Sequence, residues 1–188
     1  MITQQKDDIL LVKEVLLGNN SAYKEIVEKY KNDVYNFVLK FCGNTNDAED
    51  VTSEAFIRAY LKIRSFKMEY QFKNWIFTIA LNIARDMRRK KKYKSNSLDI
   101  SVVLDEADVP TQFSDNSSNP EKEIANKEEK LNITAAIESL PLKYETAIVL
   151  RYVENLSYED IGKIMGKPLG TVKTLIFRAQ KMLYKKLK

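Results

Sequence analysis

Three stretches of this sequence hold side chains whose types and spacing suit contact with a polyanion. After Gly170, the apolar Val172, Ile176 and Ala179 fall on one helical face, leaving Thr171, Lys173, Thr174, Phe177 and Arg178 on the other. Hydroxyls, an ammonium and a guanidinium so placed can bond base edges or phosphates, and Phe177 can touch a thymine methyl. The second stretch, Arg85 to Lys94, carries seven cations in ten residues. That exceeds what a helix macrodipole needs, because the dipole effect fades within one turn. Just upstream, Ser65-Phe66-Lys67-Met68-Glu69-Tyr70-Gln71 sets two aromatics beside a cation, the combination that unstacked bases and their phosphates call for. Each stretch has a plainer alternative: a hairpin with a solvated basic face, a favoured helix end, and loop aromatics folded back on a core.

Other chemistry is poorly provided for. The absence of histidine and the single Cys42 remove a histidine proton shuttle, serine and cysteine triads, and most zinc sites. Asp47, Glu49 and Asp50 are explained by capping and docking more simply than as a metal cluster. No cofactor, metal or small-molecule substrate is therefore expected, and the chain is not expected to be an enzyme. The start, Met1 to Asp8, is too polar for a signal peptide, and no apolar run approaches the ~18 residues of a membrane span. No membrane insertion is expected. One cysteine cannot form an internal disulfide, so a reducing cytoplasm fits.

The elements that must position these residues are helices. Glycine and proline together make nine of 188 residues, and residues 44 to 109 contain neither. That is an all-α composition. Apolar spacing predicts a short helix ending at Gly18, and a long one from about Ala22 to Cys42 with Gly43 as its stop. A third starts with a cap at Asn46 or Asp47 and runs to about Arg64. A fourth, from about Phe72 to Tyr93, has a core stripe of Phe72, Trp75, Ile76, Ile79, Ala80, Ile83 and Met87. For Trp75 a pure core role is favoured. Farther on, Asn119-Pro120 opens a helix to about Ser139, Pro141 opens another to about Val153, and Ser157 to Asp160 is a capping box for a short helix closed by Gly166. A short helix, a glycine-containing turn and a longer basic helix make the helix-turn-helix pattern.

Charge divides the chain the same way. Residues 1–94 hold 18 basic and 12 acidic side chains, residues 95–129 hold 2 and 9, and residues 130–188 hold 11 and 5. Two basic modules thus flank an acidic connector, expected to be a flexible linker with a short docked piece around Leu98 to Leu104. Two like-charged modules on a tether suggest two contacts on one polyanion.

At this level the chain resembles a known family. Asp47-Ala48-Glu49-Asp50-Val51-Thr52-Ser53-Glu54-Ala55-Phe56, then Phe72 to Asn82 with Asp86 and Arg89, are similar to region 2 of the extracytoplasmic-function (ECF) sigma factors of the sigma-70 family. Leu140-Pro141 through Gly162, with Gly170-Thr171-Val172-Lys173-Thr174, resemble region 4 of the same family. The resemblance implies a four-helix region 2 bundle in residues 1–94, a linker in 95–129 and a region 4 helix-turn-helix domain in 130–188. It implies a promoter-recognition subunit whose Asp50, Ser53 and Glu54 dock on the clamp helices of the largest subunit of core RNA polymerase. It further implies that Phe66, Lys67, Tyr70, Asn74, Asn82, Asp86 and Arg89 melt and hold the non-template strand of the minus-ten element. Thr171, Lys173, Thr174, Phe177 and Arg178 would read the minus-thirty-five duplex. Further implied are contact with the polymerase flap, an anti-sigma partner, and a linker threading toward the RNA exit path. Two positions depart from the family: Ser53 stands where Gln is common, and Leu175 where the recognition helix commonly has Arg. A stand-alone duplex-binding repressor or activator is the rival, and it would require neither the Asp50 to Glu54 surface nor the Phe66 to Gln71 loop.

Overall fold

The computed structural model describes residues 2–97 and 131–188, and every regular element among them is helical. The connector with its docked piece at Leu98 to Leu104, and the helix start at Asn119-Pro120, lie outside the described residues. Contacts divide the chain into two units, Met1–Ala107 and Asp108–Lys188.

In the first unit, α1 (Ile2–Leu16), α2 (Asn20–Cys42), α3 (Thr45–Leu61) and α4 (Phe72–Ser97) pack around α2, which touches all three others. α2 buries Ile26, Tyr30, Val34, Phe37, Val38 and Phe41, a three-and-four spacing that lines one face. The Phe37 ring stacks on Phe77 of α4 with centroids 4.3 Å apart and planes within 4°. Small residues on α3, Ala48, Ala55 and Ala59, are fully buried and allow close helix approach. α1 is pinned by Asp8, whose buried carboxylate accepts hydrogen bonds from the Tyr30 hydroxyl and the Lys29 ammonium, both at 2.6 Å.

Several expectations for this unit need correction. The α3 cap is Asn44, not Asn46 or Asp47: its side-chain oxygen accepts from the Asp47 amide at 2.8 Å while its amide group donates to the Asp47 carboxylate. α3 ends at Leu61, and the chain tightens into a 3-10 turn over Ile63–Ser65 instead of continuing helically to Arg64. α2 begins at Asn20, two residues early, because the Asn19 side chain accepts from the Ser21 amide. α4 runs to Ser97, and of its expected core stripe Phe72, Ile76 and Ala80 face inward while the rest turns outward. It buries Phe72, Ile76, Phe77, Ala80, Leu81 and Ala84, leaving Trp75, Ile79, Ile83 and Met87 half-exposed.

In the second unit, helical residues 131–138 (α5) precede α6 (Leu142–Ile148), which passes into a π-turn at Val149–Val153. The helix expected from Pro141 to Val153 thus ends where expected, with its last turn widened. α7 (Tyr158–Met165) and α8 (Leu169–Leu187) follow. Leu140, Ile148 and Ala179 form a core cluster against which Ile137, Tyr144, Met182 and Leu183 pack. The Ser157 hydroxyl caps α7 by accepting from the Asp160 amide at 3.1 Å, as the capping box predicts.

The bend between α7 and α8 depends on two glycines. Gly166 adopts a left-handed φ of 62° that other residues resist. At Gly162 the limit is space: its carbonyl accepts from the Lys167 amide at 2.9 Å, and an added Cβ would lie 2.8 Å from the Lys167 carbonyl oxygen. Gly162→Ala is expected to cost ~1–3 kcal/mol by overpacking. Urea denaturation of the variant checks this, and an unchanged midpoint would contradict it.

Candidate nucleic-acid and polymerase interface

Helix α8 presents its candidate side chains because its opposite row is apolar. Val172, Ile176 and Ala179 are buried, and this fixes the helix rotation. Thr171, Lys173, Thr174, Phe177 and Arg178 are all exposed, the Phe177 ring to 66%. No acidic residue lies between Leu169 and Lys188. The loop ahead of α7 is held by Arg151, whose guanidinium donates to the Leu156 carbonyl at 2.9 Å and lies 5.0 Å over the Tyr158 ring. That clamp starts on the π-turn, a device common at functional sites. Leu175 is half-buried, so it adds packing to this helix.

Helix α3 presents a second surface. Asp50, Ser53 and Glu54 lie one turn apart on its outer side, and Asp50 has no ion pair or hydrogen bond among the described residues. Glu54 is tied to Arg58 at 2.6 Å. Sequence reasoning missed what continues the stripe: Ile57, 55% exposed, and Leu61, 74% exposed, follow at the same spacing. The signal was present, since positions 50, 53, 54, 57 and 61 share one helical face. An apolar residue at such spacing is ordinarily assigned to the core, which is why it passed unused. The outer stripe therefore has an acidic half and an apolar half, the composition of an interaction edge.

The loop and α4 candidates separate into two groups. Phe66 is only 7% exposed, its ring 5.6 Å from Phe72 and 5.2 Å from Trp75. Asn74 is 5% exposed, and its side-chain oxygen has no hydrogen-bond partner. Neither faces solvent. Lys67, Tyr70, Asn82, Asp86 and Arg89 are exposed, with Asp86 and Arg89 paired at 3.0 Å. Trp75, assigned above to the core, is half-exposed and leans on Phe66 and Phe72, so one cluster joins the loop to α4. The cationic end of α4 touches the start of α3 through the Lys91 to Asp47 ion pair.

Burial, reinforced by the Asp47 charge, pushes the Cys42 thiol up to about 11, so it is a poor nucleophile near neutral pH. Among the described residues no cluster of three metal-ligating side chains occurs, and no helix is long and apolar enough to cross a membrane.

Comparison with known proteins agrees with this division. The Sigma-70 region 2 family matches residues 26–93 and the Sigma-70, region 4 family matches residues 130–183. An ECF RNA polymerase sigma factor, SigW of Bacillus subtilis, is 39% identical over 178 residues, covering 94% of this chain and 95% of that one. The ECF RNA polymerase sigma-E factor of Haemophilus influenzae is 36% identical, covering 99% of this chain and 98% of its own. Among solved structures, the sigma factor RpoE in complex with the anti-sigma factor NepR from Bartonella quintana matches with a TM-score of 0.69 at 25% identity. The match covers 88% of this chain and 96% of that one. CnrH in complex with the cytosolic domain of CnrY matches in fold, with a TM-score of 0.68 at 20% identity over 96% of this chain and 97% of that chain.

Proposed function

This chain belongs to the ECF group of the sigma-70 family, and we propose how its residues divide the work of promoter-specific transcription initiation. Members of this family are DNA-binding regulators of RNA polymerase and not enzymes themselves. Its partners are core RNA polymerase, promoter DNA and an anti-sigma factor, and we place it with them in the cytoplasm. Residues 1–94 form the polymerase-binding and minus-ten module, residues 130–188 the minus-thirty-five module, and residues 95–129 the tether. The observation that favours this over a stand-alone repressor is the α3 stripe of Asp50, Ser53, Glu54, Ile57 and Leu61, which duplex binding does not need.

On the polymerase, the acidic half of that stripe meets the basic clamp helices and its apolar half loses water. Lys67, Tyr70, Asn82, Asp86 and Arg89 then face the melted non-template strand. Unstacking a base costs a few kcal/mol, and an aromatic surface with cations beside it offsets that cost. Phe66 and Asn74 serve the same site from beneath: Phe66 backs the Trp75 ring, and the unpaired oxygen of Asn74 becomes an acceptor if the loop opens. Thr171, Lys173, Thr174, Phe177 and Arg178 enter the major groove of the minus-thirty-five element. Because the two DNA contacts share one tether, each raises the effective concentration of the other.

Gel-shift titration tests this division. The chain bound to core polymerase should hold its promoter tightly, whereas the chain alone should hold it poorly. Tight, sequence-specific duplex binding by the free chain, without stimulation of transcription, would favour the repressor. Within the complex, Arg178→Ala should weaken promoter binding by ~1–3 kcal/mol if its guanidinium reads a base. Unchanged affinity would remove Arg178 from the reading surface.

A further inference from the structure

Three of the cations on α4 are compensated by carboxylates. Lys73 meets Asp33 at 2.8 Å, Arg89 meets Asp86 at 3.0 Å, and Lys91 meets Asp47. Arg85 differs: it is half-buried, and its guanidinium has no ion pair or hydrogen bond among the described residues. Burial draws it below the ordinary arginine value. A guanidinium withdrawn from water without a counter-charge is unfavourable for the fold. Sites that tolerate such a cost are commonly those where a ligand supplies the missing charge.

Its position indicates the ligand. Trp75, Thr78, Asn82, Arg85 and Arg89 follow one another at three- and four-residue steps and so form one row along α4. The row starts at the Phe66, Phe72 and Trp75 rings and ends in the cationic terminus. Rings followed by donors at intervals suit a strand whose bases stack at one end while its backbone runs along the helix.

We propose that Arg85 is a phosphate clamp for the unpaired DNA strand, donating the two prongs of its guanidinium fork to one backbone phosphate midway between the aromatic cluster and Arg89. The proposal rests on the assignment of α4 to the minus-ten strand. It assigns Arg85 a duty apart from the general attraction of the basic terminus: a fixed contact whose charge the folded chain leaves unbalanced until DNA arrives. A planar fork matches a phosphate in two places, which a lysine ammonium does not.

The test uses the full chain, Arg85→Met, which keeps an apolar stem without charge, and Arg85→Lys, which keeps charge without the fork. A labelled mixed-sequence single strand of about 20 nucleotides, longer than one binding groove, is titrated by fluorescence anisotropy at several salt concentrations. Arg85→Met should bind about fivefold more weakly at low salt. Its plot of log affinity against log salt should flatten by about 0.7, the contribution of one phosphate on a single strand. Arg85→Lys should keep the wild-type slope with weaker binding. The thermal midpoint of Arg85→Met should equal or exceed that of the wild type, since an uncompensated charge is gone. An unchanged slope in Arg85→Met, or a midpoint several degrees lower, would show a structural arginine and overturn the clamp. Failure of the wild-type chain itself to bind the strand would instead overturn the minus-ten assignment of α4.

Discussion

Asp50→Lys should weaken binding to core RNA polymerase by ~2 kcal/mol or more, about thirtyfold, and leave the melting temperature where it was. Asp50 is exposed and makes no ion pair or hydrogen bond among the described residues, so the fold has no stake in its charge. Against a basic partner surface the same change replaces an attraction with a repulsion inside a desolvated contact. Glu54 should be less sensitive, because Arg58 at 2.6 Å already shares its charge. Ile57→Glu should act in the same direction by placing a charge where the stripe is apolar. Titration of labelled core polymerase with each variant checks this ordering. Equal affinity for wild type and Asp50→Lys would remove α3 from the interface.

Phe37→Ala should destabilise the first unit by ~3–5 kcal/mol. Its ring is wholly buried, stacked on Phe77 at 4.3 Å and edge-on to Phe41 at 5.2 Å, so removal opens a cavity where α2 and α4 meet. Trp75, the single tryptophan, lies in this unit beside Phe66 and Phe72 and reports its unfolding by fluorescence. The denaturation midpoint followed by Trp75 should fall sharply in Phe37→Ala. It should stay in place for Phe177→Ala, whose ring is exposed in the other unit. A small shift for Phe37→Ala would mean that the interior collapses around the missing ring.

How far the sequence discloses such features depends on whether one local pattern has a single structural answer. The α2 helix and its Gly43 stop were legible because its polar and apolar residues segregate cleanly. The α7–α8 pair was legible because Ser157, Gly166 and the Val172, Ile176 and Ala179 row agree on one arrangement. α4 was not, since Trp75-Ile76-Phe77-Thr78-Ile79-Ala80-Leu81 is apolar nearly all round. Only packing against α2 and α3 selects Phe77, Leu81 and Ala84 over Ile79, Ile83 and Met87. The α3 cap failed for a related reason. Asn44, Thr45, Asn46 and Asp47 can all cap a helix, and the tertiary fold chooses Asn44.

The candidate surfaces followed the same logic. The exposed face of α8 was legible because a buried row determines its opposite. Phe66 was not, because a loop aromatic can turn inward or outward with equal chemical sense, and here it turns inward. Arg85 lay within a run of seven cations where sequence alone gave no reason to separate it from its neighbours. Its burial, and the lack of a counter-charge among the described residues, emerge only when α4 is packed.

The most direct measurement is run-off transcription with core RNA polymerase, the purified chain and a library of genomic promoter fragments. Discrete transcripts from a small set of promoters, appearing only when chain and core enzyme are both present, are the expected result. Transcription no more selective than that of core enzyme alone, from a chain that is folded, would contradict the assignment.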